Sequence, residues 1–164
     1  MKKFEFTGET KEIRLLFRTA TLHRIRATVA FGIVEVGDLG GWIEKEENLS
    51  HEGKAWVWGN AEVWGNAEVC GDAKVCGDAK VFSASHVLVI GAIGSRDDFT
   101  TFFRDKDNEI TVKCGCFLGK IDKFLEKVTQ THGDSKYALV YRAAVEVARL
   151  QIDLSGEAPK DADE

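Results

Sequence analysis

Gly59-Asn60-Ala61-Glu62-Val63-Trp64, Gly65-Asn66-Ala67-Glu68-Val69-Cys70, Gly71-Asp72-Ala73-Lys74-Val75-Cys76 and Gly77-Asp78-Ala79-Lys80-Val81-Phe82 follow one another without interruption. The same spacing extends outward, with Val57, Val63, Val69, Val75, Val81, Val87 and Ile93 recurring every sixth residue. A small residue stands two positions before each: Ala55, Ala61, Ala67, Ala73, Ala79, Ser85 and Gly91. A period of six does not keep one face of an α-helix inward, because it advances about 1.67 turns at 3.6 residues per turn. It suits a short strand followed by a corner. Side chains alternate across a strand, so Ala and Val share one side while the Glu or Lys between them faces the other. The Gly-Asn and Gly-Asp pairs supply the positive φ that a tight corner needs.

Three such strands would close a triangular coil of about 18 residues. The expected fold is therefore mainly β: a short left-handed parallel β-helix (a hexapeptide-repeat solenoid) with N-terminal strands and a C-terminal β-hairpin plus two α-helices. A coil of that length stacks Glu62 under Lys80, Glu68 under His86 and Trp56 under Lys74 on the outer surface. Ile43 and Leu49 continue the spacing upstream, with a two-residue bulge expected within Ser50, His51, Glu52 and Gly53.

The position after each valine carries Trp58, Trp64, Cys70, Cys76, Phe82 and Leu88, all apolar where an isolated prism would be polar. Either the flanking segments or other subunits must cover them. Exposed apolar surface of that extent marks an interface, so Trp58, Trp64, Phe82 and Leu88 are expected to join a homotrimer.

The boundaries read as N-terminal strands over 1–38, the repeat over 39–94, a hairpin and two helices over 95–154, and a disordered polar tail over 155–164. Residues 2–36 alternate in places, although Glu12 to Thr19 also reads as a short helix. Phe99 to Phe103 and Glu109 to Phe117 form the hairpin. The helices span Lys120 to Thr131, with Ile121, Phe124, Leu125 and Val128 on one face, and Lys136 to Ile152, with Leu139, Ala143, Val147 and Leu150 along another. Gly133 is the stop signal for the first.

With 164 residues, a hydrophobic content of 44% and a net charge of -5, the chain suits one core with an appendage and argues against a nucleic-acid coat, which leans on Lys and Arg. The sequence has no bilayer-length apolar run and no signal-type N-terminus, so no membrane association and a cytoplasmic location are expected. Cys70, Cys76, Cys114 and Cys116 then read as free thiols.

The stretch TLHRIRATVAFGIVEVGDLGGWIEKEENLSHEGKAWV, the GNAEV-type hexads, and then IGSRDDFTTFF, VKCGCF, FLEKV and THGDSKY resemble hexapeptide-repeat proteins encoded by bacteriophages and prophages. The similarity covers about residues 4–150. It implies a phage setting, in which accessory proteins of this size modify host processes or blunt host defence.

Gly94-Ser95-Arg96-Asp97-Asp98 with Thr100 and Thr101 is the foremost ligand-binding candidate, since it joins backbone amides, hydroxyls and a guanidinium able to grip phosphate or carboxylate. The alternative is a capping turn in which Arg96 pairs with Asp97, Asp98 or Glu109. His132-Gly133-Asp134, with Lys136 and Tyr137, adds a polar interhelical loop and brings His132 and Tyr137 into the candidate set. Cys114-Gly115-Cys116 reads as two small groups packed on one side of a strand rather than as a metal site, there being no second pair at zinc spacing.

His23, His51, His86 and His132 show no zinc cluster of the γ-carbonic-anhydrase type. His86 on an outward edge or His51 in the bulge would have to serve as base if the chain were a hexapeptide acyltransferase. The residues imply no catalytic group, metal or cofactor. The leading expectation is a non-enzymatic oligomeric binding protein that captures a small anionic, nucleotide-type host signal at subunit junctions. A scaffold for a host protein is the alternative, and the acyltransferase comes third.

Overall fold

The computed structural model describes residues 1–156. Two long strands, β1 (Phe4–Arg14) and β2 (Thr19–Ala27), form an antiparallel hairpin. β3 (Leu39–Ile43) joins it antiparallel to β2. The repeat supplies four strands of two residues: β4 (Trp56–Val57), β5 (Glu62–Val63), β6 (Lys74–Val75) and β7 (Lys80–Val81). β8 (Val87–Ile93), β9 (Asp98–Arg104), β10 (Ile110–Cys114) and β11 (Phe117–Lys120) follow, then α1 (Ile121–His132) and α2 (Lys136–Gln151).

The expected left-handed β-helix is not what forms. The strands divide among three separate sheets: five strands in the order β1-β2-β3-β5-β7, four in the order β11-β10-β9-β8, and the pair β4-β6. The repeat gives strands too short to propagate a solenoid, and the flanks capture their neighbours. β8, read as the last rungs of the repeat, instead pairs antiparallel with β9. The segment Glu12 to Thr19 is strand and turn, not helix.

A six-residue period specifies which side chains turn inward, and here it does so accurately. The five valines from Val57 to Val81 and the five alanines from Ala55 to Ala79 are all buried in one cluster. It does not specify which strands share hydrogen bonds. Local pairing at the expected spacing is still present: Trp56 stands opposite Lys74 and Glu62 opposite Lys80, both in parallel register. Upstream, Ile43 meets Val63 and Leu49 meets Val69, each two residues further apart, as the insertion at Ser50 to Gly53 requires. Trp56 and Glu62 are not on the outer surface, however. Trp56 is buried against Phe4 and Phe31, and Glu62 is buried between Lys11 and Lys80. His86 is likewise buried rather than outward, in a 3-10 turn over Ala84–His86.

Glycines at the corners take the positive φ that the sequence demands, between 56° and 64° at Gly59, Gly65, Gly71 and Gly77. At Gly65 a Cβ would also lie 2.7 Å from the Phe82 carbonyl oxygen, so close stacking adds a second requirement there.

The β1–β2 hairpin folds over the repeat and encloses Trp64 with Ile13, Ala20 and Leu22. Phe82 stacks on Trp64 at 4.7 Å, Trp58 is half-buried against the valine column, and Leu88 is half-buried against the helices. The four side chains expected at a trimer interface are thus covered wholly or in part within the chain.

The second core lies between the four-stranded sheet and the two helices. α1 buries Ile121, Phe124 and Val128, as its periodicity indicates, and ends at Gly133 with φ 58°. α2 is turned opposite to expectation. It buries Ala138, Tyr141, Ala144, Val145 and Ala148, while Leu139, Ala143, Val147 and Leu150 face out. Small alanines let the helix approach the sheet closely, and the larger aliphatics are left outside.

β9 stands between the cores. Its successive side chains alternate, so Phe103 enters the valine cluster and Phe102 enters the helix-covered one. The expected disordered tail lies outside the described residues from 157 onward. Ser155 and Gly156 are described, and the Gly156 carbonyl accepts from Arg104 Nη2 at 3.1 Å and Asn108 Nδ2 at 2.9 Å. No helix of the described residues is long and apolar enough to cross a membrane.

Candidate functional site

A cleft of 170 Å³ opens where the β8–β9 turn, the β10–β11 turn and the two helices meet. Ser95, Arg96 and Asp98 come from the first turn; Cys114, Gly115, Cys116 and Phe117 from the second. α1 adds Phe124, Lys127, Val128, Thr131 and His132, and α2 adds Tyr141. Each wall has a local cause. Gly94 has φ 79° and admits the tight β8–β9 turn, and a Cβ there would sit 1.9 Å from the Tyr141 hydroxyl, so the turn rests on that phenol. Gly115, with φ 56°, makes the second turn, and its open side faces Arg96, whose Nη1 would be 3.9 Å from an added Cβ.

The floor is apolar and aromatic. Phe124 meets Phe117 at 5.4 Å and Tyr141 edge-on at 5.7 Å. Burial, aided by Cys114 and Asp98 and opposed by Arg96, pushes the Tyr141 hydroxyl up to about 12, so at neutral pH it is an uncharged donor. His132 lies between two tyrosines, stacked on Tyr141 and tilted against Tyr137, each at 5.7 Å.

The rim carries charge. Among the described residues no carboxylate lies within ion-pair distance of Arg96 or Lys127. The cap reading, in which Arg96 pairs with Asp97, Asp98 or Glu109, is therefore not realised: Glu109 pairs with Lys120 at 3.5 Å, and Asp98 accepts from its neighbour's amide, Phe99 N–H, at 2.7 Å.

Of the residues singled out in the sequence, Ser95, Arg96 and His132 meet in this cleft, and Tyr137 touches it only through His132. Thr100 and Thr101 do not line it, being buried on opposite faces of β9. The Thr100 hydroxyl donates to Cys114 Sγ at 3.3 Å and so holds that thiol from behind, while Thr101 Oγ1 accepts from the Lys74 backbone amide at 3.0 Å and ties β9 to the repeat. The residues that sequence reasoning missed are Lys127, Tyr141, Phe117 and Phe124. For the helical ones the signal was spacing: Phe124, Lys127, Val128 and Thr131 lie on one side of α1, and Tyr141 is on the alanine face of α2, whereas Phe117, at the start of β11, had no such signal.

Cys114 and Cys116 do not share a strand face, because β10 ends at Cys114 and Cys116 is in the turn, exposed. Cys114 contacts the Tyr141 hydroxyl only weakly, at 4.0 Å. Among the described residues no three His, Cys, Asp or Glu gather as a metal would need.

The histidines considered as bases stand elsewhere with both roles structural. His51 Nδ1 accepts from the Lys3 amide at 2.9 Å and its Nε2 meets Glu46 at 2.9 Å. His86 Nδ1 accepts from the Phe82 amide at 3.2 Å. On the far side of the β8–β9 turn lies a cavity of 320 Å³ whose Lys54, Lys74, Asp72, Asp97 and Asp98 largely offset one another. Asp98 borders both spaces.

No family model matches this chain, and no curated protein matches it.

Proposed function

We propose that the chain is a non-enzymatic binding protein that captures a small anionic ligand carrying a flat ring, of nucleotide type, in the cleft between the β8–β9 turn and the helices. One observation carries this reading: among the described residues Arg96 has no carboxylate partner at the rim of an aromatic-floored cleft, with Ser95, Lys127 and His132 converging on the same space. A guanidinium binds phosphate or carboxylate in two places and does not deprotonate, and Lys127 adds a second positive charge. Phe117, Phe124 and Tyr141 offer ring faces and edges to a base. The volume suits the ring and its first anionic group, with the remainder of a larger ligand outside. The resemblance to phage proteins supplies the setting, removal of a host signal, as analogy. Presentation of the hairpin and helices to a host protein is the alternative use.

The test is calorimetric titration with nucleoside monophosphates, with inorganic phosphate as control. Arg96→Ala should weaken binding about 10- to 100-fold, as for a lost charge-assisted pair of about 1.5–3 kcal/mol. Its melting temperature should stay as in the wild type, and Arg96→Lys should recover little. Equal affinity in wild type and Arg96→Ala would remove the cleft from the function.

A further inference from the structure

We propose that the outer face of α2 binds the same face of a second copy of this chain, in an antiparallel pair about a two-fold axis. The claim is independent of the cleft. α2 is apolar on two opposite sides. One side is the alanine and tyrosine face buried on the sheet. The other is a stripe of Leu139, Ala143, Val147 and Leu150, spaced as one helical face, with Leu139 60% and Leu150 89% exposed. A helix covering a sheet ordinarily shows water a polar outer surface, as α1 does with Asp122, Lys123 and Glu126. In α2 only Lys136, Arg142, Glu146 and Arg149 are charged.

The order of charges selects the partner and the direction. Place a two-fold axis on the outer side of α2, at the height midway between Ala144 and Val145, and run the second helix antiparallel. Leu139 then meets Leu150 of the second copy, Ala143 meets Val147, Arg142 comes beside Glu146, and Lys136 faces Asp153 just past the helix end. Every one of these meetings occurs twice, as an isologous interface requires. A parallel pair would set Arg142 against Arg142 and Glu146 against Glu146. Within the chain Glu146 pairs with Arg149 at 2.8 Å and Arg142 with Asp134 at 3.7 Å, surface ion pairs of small worth, and Arg142 Nη2 also donates to the Gly133 carbonyl at 3.0 Å and the Thr129 hydroxyl at 3.3 Å, which leaves its Nη1 to exchange Asp134 for Glu146 of the second copy. A helix of about 24 Å buries less than a standard interface, so the dimer belongs in the micromolar range.

Sedimentation equilibrium of the full chain across the micromolar range should show a reversible monomer–dimer equilibrium. Leu150→Glu and Leu139→Glu should each raise the dimer dissociation constant at least tenfold with circular dichroism and melting temperature unchanged, since both side chains are exposed in the monomer. Arg142→Glu and Glu146→Arg should each weaken association, and the double exchange should restore it. A wild-type chain that stays monomeric, an oligomer indifferent to Leu150→Glu, or a double exchange no better than the single ones would each overturn the proposal.

Discussion

Gly94 and Tyr141 form the tightest fit in the cleft, and they show how far single residues could be read in advance. An alanine at position 94 would need a φ of 79° and would press on the phenol, so Gly94→Ala should cost about 2–4 kcal/mol. Tyr141→Phe should recover part of that loss in the double variant, because the hydroxyl is the nearer obstacle. Denaturant unfolding of the two single variants and the double one checks this, and strictly additive losses would refute the contact. From the sequence, the glycine was legible as a turn and Arg96 as a cation in it. Tyr141 was not, because nothing local distinguishes it from Tyr137, its neighbour by one helical turn. Only the choice of which face of α2 meets the sheet separates them. Thr100 and Thr101 failed for a related reason: adjacent residues in a strand face opposite ways, so the two could not serve one pocket together.

Elements were legible where a strong period met a simple environment. α1 and α2 begin and end within a residue or two of expectation, and the expected column is inward from Val57 to Val81, while Val87 is only partly buried and Ile93 turns to the helix-covered core. What the period left open was who pairs with whom, and there antiparallel flanks displaced the expected solenoid. The short turn at Ala84–His86 illustrates the same gap. A histidine just before a hexad valine, where the Glu or Lys of the other repeats stands, looked like an outward group, yet His86 is buried with Phe82 edge-on to it at 4.2 Å. Burial first, then the Arg104 charge, pushes its imidazole down to about 4 from an ordinary 6.5. The unfolded chain therefore binds this proton at a higher pH than the folded one. Stability from this group is complete above about pH 6.5 and falls as the pH drops toward 4, by on the order of 2 kcal/mol. Melting temperatures from pH 7.5 to 4.5 should fall less steeply for His86→Gln than for the wild type; parallel curves would show that the ring titrates normally.

The molecule as assembled has two large cores, and the strand between them belongs to both. Phe103 of β9 cannot leave the valine cluster, nor Phe102 the helix-covered one, without moving the other. Thr101 and the Lys106 amide, which donates to the Asp78 carbonyl at 2.9 Å, fasten the same segment to the repeat. Opening either half alone would strand a phenylalanine in water, so neither half has a cheap route to independent melting. In solvent deuterium the amides of Phe102 and Phe103 should accordingly exchange last and at one common rate, set by global unfolding, while those of the β1–β2 tip and of the outer end of α2 exchange early. Two well-separated rates within β9 would mean that the halves breathe apart. If the rate is single, a ligand at the cleft slows exchange in the valine column as well, and the distant repeat becomes a reporter of occupancy.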